Sequence, residues 1–249
     1  MTDYTLWEKN RMKTSMTRNI KFSETDDTSV LRIGKVIDFL QDCSNYQSEL
    51  IGAGIEYQNS RNRAWILSSW QIEIRGQFRY GDDVIVSTWA YDFKGACGRR
   101  NFSIASAASP EENIILADSV WALFDTGKGM LTRVMEDDVK PYGCEAKLDM
   151  DYTRKKILRA QTYEEKEHFV VRKYQLDLNN HMNNAWYVKV AEEFIEDEKL
   201  VNSVRVEYRK SAKYSDILIP FVAKEEKRLV VELRSTEGEL YAIVQFGLE

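Results

Sequence analysis

His181, one of only two histidines in the chain, stands in the stretch LDLNNHMNNAWY (residues 176–187) among Asp177, Asn179, Asn180, Asn183 and Asn184. These residue types can move a proton and control where it sits. An imidazole of ordinary pKa, about 6.5, can take a proton from water near neutral pH. A neighbouring carboxylate or amide can fix which ring nitrogen carries hydrogen. The alternation in YQLDLNNH predicts an extended segment, with Tyr174, Leu176 and Leu178 on one face and Gln175, Asp177 and Asn179 on the other. The chain should then turn at Asn180 and His181 and enter a helix near Asn183 or Asn184. His181 would lie beside a helix N-terminus, whose free N–H groups favour a developing oxyanion and a neutral ring. Hydrolysis of an acyl bond is the simplest reaction for this set, and a thiol leaving group of pKa about 8.5 needs little acid assistance. Asparagine and aspartate are also common turn and cap residues, so the pattern suits a purely structural junction too. His168, in the charged stretch EEKEHFVV, is expected on an edge strand.

Two similar blocks supply the frame that would position this set. WQIEIRGQFRYGDDVIV (70–86) aligns without a gap on VRVEYRKSAKYSDILIP (204–220), so that Glu73 meets Glu207, Arg75 meets Arg209, Tyr80 meets Tyr214 and Asp82 meets Asp216. The shared Tyr-x-Asp turn lifts the match above the alternation common to all half-buried strands. A helical pattern precedes each block. In SVLRIGKVIDFLQDCSNYQSEL, Ile33, Ile37, Leu40 and Cys43 or Ser44 recur at helical spacing, with Asp26, Asp27 and Thr28 as N-cap candidates. In NNAWYVKVAEEFIEDEK, Tyr187, Val190, Ala191 and Phe194 share a face. Alternating segments follow at 64–75, 84–93, 99–107 and 114–124, then at 203–209, 217–224, 228–235 and 240–246. The turns YGDD, KGACG, SPEEN, YSD, KEEK and TEGE separate them. A helix followed by an antiparallel meander, repeated, is an α+β pattern. The stretch EDDVKPYGCEAKLDMDYTRKKIL has little periodicity, which divides the chain into a first repeat at 1–131, a linker at 132–160 and a second repeat at 161–249 carrying the histidine motif.

Composition excludes several classes. The 249 residues carry Lys+Arg 35 against Asp+Glu 40, a net charge of -5, which gives no overall basic field to gather nucleic acid or an anionic membrane. No apolar run approaches the roughly 18 residues of a membrane span. The start MTDYTLWEKNRMKTSMTRN lacks the apolar core of a secretory signal, so a cytoplasmic protein is expected. Cys43, Cys97 and Cys144 are odd in number and widely spaced, as free thiols are. With His168 and His181 alone, neither a metal site nor a cofactor is expected.

DLNNHMNNAWY resembles the Asp-x-Asn-x-His-x-Asn-Asn signature of the acyl-acyl carrier protein (acyl-ACP) thioesterases. WILSSWQIEIRGQFRYGDDVIVSTW is similar to the strand block of that family's first half, FLQDCSNYQSELIG to its first helix and ADSVWALFDTGKGMLTRV to the end of its first repeat. The likeness runs from about residue 5 to 247. It implies two tandem hotdog repeats, each a long helix wrapped by an antiparallel β-sheet. It also implies hydrolysis of the thioester between a fatty acyl chain and the phosphopantetheine arm of acyl carrier protein. On that resemblance Asp177, Asn179 and His181 take catalytic positions, while Asn183 and Asn184 match a trailing pair expected to cap the helix and support substrate at the oxyanion site. The acyl tail is expected against the helix at 30–51 and the strand at 65–74. The carrier is acidic, so a local basic surface is implied, with KGACGRR and RKK (154–156) as candidates.

One departure bears on mechanism. Plant members carry a Glu-Cys pair after a Glu-Tyr-Arg-Arg run, whereas EYRKSA places Ser211 and Ala212 there, which excludes a cysteine nucleophile at that site. Water attack follows, with Asp177 or His181 as the proton acceptor, both alternatives remaining open. The same fold acting on acyl-coenzyme A is a rival reading. A catalytically silent acyl-binding module is another; the missing pair favours it and the intact Asp177, Asn179 and His181 set opposes it. No nucleic-acid or membrane partner is expected. Monomer and homodimer are both compatible, because a tandem chain already holds the two hotdog units that single-repeat relatives obtain by dimerising.

Overall fold

The structure, a computed structural model, describes residues 13–153, 155–197 and 201–249. The first half holds β1 (Thr14–Asn19), α1 (Ile33–Leu50), α2 (Ile55–Ser60), β2 (Arg63–Ile74), β3 (Asp83–Lys94), β4 (Cys97–Ser106), β5 (Ser109–Asp125) and β6 (Met130–Leu131). After α3 (Glu136–Val139) and a long irregular crossing come β7 (Glu164–Glu165), β8 (Phe169–Val170), α4 (Asn184–Glu192), β9 (Val201–Tyr208), β10 (Ile217–Glu225), β11 (Arg228–Arg234) and β12 (Leu240–Leu248). All pairings are antiparallel, and the main path runs β1-β3-β4-β5-β2-β9-β12-β11-β10-β7. The two halves meet where β2 pairs with β9, from Ser69 opposite Glu207 to Glu73 opposite Ser203. The expected pair of helix-and-meander repeats, each a hotdog unit, is thus joined edge to edge into one sheet.

Alternation along the strands builds one core from both halves. Trp70 and Ile72 of β2, Phe102 and Ile104 of β4, Val204 and Val206 of β9, and Val244 and Phe246 of β12 are buried with Phe39 and Leu40 of α1 and Tyr187 and Val188 of α4. Full burial of each large apolar side chain is worth about 1.5–3 kcal/mol. The two helices pack against each other in opposite directions. The Gly34 N–H donates to the Glu192 carboxylate at 3.0 Å, Lys189 donates to Asp38 at 2.7 Å and Gln41 Nε2 donates to Asn183 Oδ1 at 3.2 Å. Glycine at 34 permits this approach, since a Cβ there would stand 2.3 Å from Lys189 Cγ.

The outer face of the β2–β9 seam is covered by the crossing chain. Gln71 accepts from Thr153 N at 2.8 Å and donates to Asp151 O at 2.6 Å, and Glu207 accepts from Ile157 N at 2.6 Å. Further on, Arg159 and Tyr163 bind the fully buried Glu232 of β11, which also receives Arg234.

Several local expectations are corrected. β1 lies outside the segments expected from alternation, because TSMTRN offers only Met16 as an apolar side chain. SPEEN does not form a turn but opens β5, the reversal falling at 107–108. α1 begins at Ile33 behind Arg32, which makes no side-chain cap, so Asp26, Asp27 and Thr28 lie too early to cap it. In α4 the buried residues include Val188 rather than Val190, and Phe194 falls beyond the helix end.

Burial raises the pKa of Glu232, but hydrogen bonds from Arg159, Tyr163 and Arg234 outweigh it and hold the carboxyl below its usual range. A lowered carboxylate stabilises the fold above its unfolded pKa of about 4.3, and that contribution is lost as pH falls through the lower folded value. Glu232→Gln should therefore cost roughly 2–3 kcal/mol at pH 7 in denaturant unfolding. The gap between parent and variant should close as pH drops below about 4.

Candidate active site

The segment before His181 is a hydrogen-bonded turn, and the expected extended strand is absent. Lys173–Gln175 forms one turn of 3-10 helix, and Leu176 then bridges Met182. Asp177 closes the loop between them. Its N–H donates to His181 O at 2.7 Å, and its Oδ1 accepts from Asn179 N at 2.8 Å and His181 N at 3.1 Å. Asn180 sits at φ 58, a left-handed conformation that asparagine tolerates better than most residues. Local bonds from a carboxylate to nearby amides have displaced a strand ladder. The expected faces are therefore broken up: Tyr174 and Leu178 are 72% and 84% exposed, while Gln175 is buried and accepts Arg172 N at 2.7 Å.

Beyond the turn, His181 bridges Lys213 and Met182 N donates to Ala212 O at 2.8 Å. Asn183 is the N-cap of α4, its Oδ1 accepting Ala185 N at 2.9 Å, and Asn184 is the first helical residue. Tyr208 Oη donates to Asn184 O at 3.0 Å, and Tyr187 Oη accepts Ala212 N at 2.8 Å. Burial pushes both phenols above their usual range, so they act here as neutral hydrogen-bonding groups. Among the described residues no acceptor takes the Asn184 N–H, which leaves a donor at the helix N-terminus.

The first half contains the same turn without the histidine. Phe22–Glu24 is the 3-10 turn, Thr25 bridges Leu31, Asp26 Oδ1 accepts from Thr28 N and Val30 N at 2.8 Å each, and Ser29 sits at φ 69. Val30 bridges Arg79 as His181 bridges Lys213. Asp26 thus matches Asp177, Thr28 matches Asn179 and Val30 matches His181. Val30 is buried, whereas His181 is half-exposed.

His181 and Asp177 are brought together by backbone bonds; among the described residues no hydrogen bond joins the imidazole ring to Asp177 or Asn179. Asn179 is exposed at the turn. Ser211 is exposed and Ala212 fully buried. Burial pushes the Cys43 thiol up to about 12, so it stays protonated inside the first half. His168 lies exposed between the short edge strands β7 and β8. Among the described residues no group of three or more His, Cys, Asp or Glu side chains is placed to hold a metal.

The basic candidates fare differently. Arg100 of KGACGRR is buried, 8% exposed, beside Phe102 and Tyr142, so that motif is only partly a surface. The expected alternation at 99–107 does not hold, because 100–105 are buried without a break, and this is what takes Arg100 inside. Of RKK, Arg154 lies outside the described residues. Lys155 and Lys156 line a cleft of about 210 Å³ on the outer sheet face with Gln71, Arg99 and Arg205. No helix of the described residues is long and apolar enough to cross a membrane.

Comparison with known proteins agrees over both halves. The acyl-ACP thioesterase N-terminal domain profile matches residues 11–142 and the C-terminal domain profile matches 158–245. The chain is 25% identical over 178 residues to the chloroplastic acyl-acyl-carrier-protein hydrolase FATB3 of Cuphea viscosissima, covering 68% of this chain and 43% of that protein. It is 22% identical over 168 residues to the chloroplastic palmitoyl-acyl carrier protein thioesterase of Arabidopsis thaliana, covering 64% and 40%. The chain thus spans less than half the length of these curated relatives. Solved structures of an acyl-ACP thioesterase from Bacteroides thetaiotaomicron and of the 12:0-ACP thioesterase from Umbellularia californica share the fold. Their TM-scores are 0.86 and 0.85 at 18% and 17% identity, covering 96% and 98% of this chain and 98% and 99% of theirs. With both domain profiles matched in order across the two halves of one sheet, the chain belongs to the acyl-ACP thioesterase family.

Proposed function

We propose that the protein hydrolyses the thioester of a fatty acyl chain carried on acyl carrier protein, releasing the fatty acid and the carrier's free phosphopantetheine thiol. The observation that carries this reading is the duplicated turn. One set of backbone bonds holds Val30 in the first half and His181 in the second, so the scaffold itself has no need of a histidine. His181 takes a proton from water as the water oxygen attacks the acyl carbon. The developing oxyanion is met by N–H groups at the start of α4, with Asn184 N–H the foremost and Asn183 holding that end. Collapse expels the thiolate, which recovers the proton from the imidazolium. Asn179 orients the water or the carbonyl.

Asp177 is assigned to positioning rather than to the proton transfer, because Asp26 makes the same two bonds where there is no histidine to serve. In this reading residues 161–249 carry the chemistry and 1–131 the acyl chain, packed against α1 and β2, with 132–160 linking them. One chain supplies a complete site, so a monomer suffices and a homodimer is compatible. Three free cysteines suit a reducing compartment such as the cytoplasm.

His181→Val installs the residue that the first-half turn already accommodates. Thiol release from a series of acyl carrier protein thioesters should fall by about 100-fold to 10,000-fold, with far-UV spectrum and melting temperature retained. Parental turnover by the variant would refute the assignment; inactivity of the parent, with acyl chains still bound, would favour a silent binding module. Comparing carrier-bound with coenzyme A thioesters of equal chain length separates the rival enzyme reading. Asp177→Asn keeps an acceptor oxygen and should hold turnover within about tenfold, whereas Asp177→Ala should lose more through the turn. A loss at Asp177→Asn as large as at His181→Val would make Asp177 the base.

A further inference from the structure

The two matched turns differ on their outer faces. In the first half, residues 21–22, 26–30 and 79–83 present Lys21 and Arg79 against Asp26, Asp27, Asp82 and Asp83. The matching residues 172–173, 177–181 and 213–217 present Arg172, Lys173 and Lys213 against only Asp177 and Asp216. The scaffold is otherwise alike: the Phe22 ring stands edge-on to Tyr80 at 6.0 Å, and Lys173 Nζ lies over the Tyr214 ring at 5.7 Å in the same place. Asp26 and Asp177 accept turn amides equally, as do Asp82 from Arg79 N and Asp216 from Lys213 N.

What has changed is therefore the solvent-facing set. Where the first half exposes Asp27 and Asp83, the second exposes Leu178 and Ile217. Tyr174 extends this apolar surface, Tyr214 keeps the exposed place that Tyr80 holds in the first half, Lys173 replaces the exposed Phe22, and Arg172, Lys173 and Lys213 make no ion pair among the described residues. A turn that only reverses the chain is served by the first-half version, with its solvated carboxylates. An apolar centre with a cationic rim is the make-up of a protein-binding surface, and a local excess of cations would orient an acidic partner on a chain whose net charge of -5 otherwise repels it.

We propose that the face formed by residues 172–178 and 213–217 is where the acidic carrier protein docks, which rests on the thioesterase reading above. Docking there sets the carrier on the very turn that holds His181, so its thioester arm has only to enter beside that turn. This places the docking surface on the second half, away from the outer-face cleft of Lys155 and Lys156 and from the KGACGRR loop.

The test measures binding of holo acyl carrier protein, its phosphopantetheine thiol free, to three proteins: the parent, the Lys173→Glu/Leu178→Asp double variant and Lys21→Glu, which alters the matching face of the first half. The double variant should bind about tenfold more weakly or worse and Lys21→Glu should bind like the parent. Parental affinity should also fall as salt is raised from about 50 to about 500 mM. In parallel, the ratio of kcat/KM on carrier-bound thioester to that on a carrier-free acyl thioester should drop about tenfold in the double variant. Unchanged carrier affinity in the double variant, or equal loss on both substrates, overturns the proposal. So does self-association of the parent that the double variant abolishes without effect on the carrier. A parent that binds carrier through this face but hydrolyses no thioester would sink the enzymatic reading and leave the docking surface standing.

Discussion

A single amide oxygen, Asn183 Oδ1, ties the chemistry to the fold. It accepts from Ala185 N and so caps α4, and it accepts from Gln41 Nε2, which reaches across from α1. Without it the cap would be lost, at a typical cost of about 1 kcal/mol, and a buried amide donor of Gln41 would be left unpaired at a further 1–3 kcal/mol or so. The helix end beside His181 is thus located by the opposite half of the molecule. The position of His181 on one repeat is therefore set with the help of the other: the antiparallel contact of α1 and α4 and the β2–β9 seam fix the same relative position from two sides.

Duplication also explains how a site can arise without disturbing the fold. Each turn is closed by bonds from its own aspartate to its own backbone, and these bonds persist although the side chains at the second, third and fifth turn positions differ between the halves. In the first half those positions hold Asp27, Thr28 and Val30; in the second they hold Leu178, Asn179 and His181. The constant atoms hold the turn, and the variable ones include the residues proposed to carry the chemistry. The closing bonds of the turn thus tolerate different side chains at these positions, and under the proposed reading the difference between the halves is where function was added.

Much of the architecture was legible because half-buried strands advertise themselves by alternation, and the Tyr-x-Asp turn marks the repeat. The site was legible in composition but not in conformation. Asp177 followed by asparagines reads as strand when only periodicity is considered, yet short polar side chains compete for nearby amides, and here they win. The same competition explains the misplaced cap of α1: Asp26 looks like an N-cap in sequence, and it does cap amides, but those of its own turn at Thr28 and Val30. Arg100 was illegible for another reason, since a charged residue inside a continuously buried strand contradicts the rule by which surfaces are read.

The Ser211-Ala212 departure falls where the structure needs backbone rather than side chain. Ala212 gives its carbonyl to Met182 N and its N–H to Tyr187 Oη, so both of its polar groups brace the residues on either side of the helix start. Its own side chain is fully buried against that junction. The matching first-half residue, Phe78, likewise gives its carbonyl to Leu31 N. The carbonyl bond is therefore common to both halves, whereas the bond to Tyr187 Oη belongs to the second alone, with Val36 in the matching place of the first; neither depends on the side chain at 212. His181 and Asp177 are both half-exposed at the turn beside this brace, and the proposed attack by water draws on those two groups rather than on a side chain at 211 or 212.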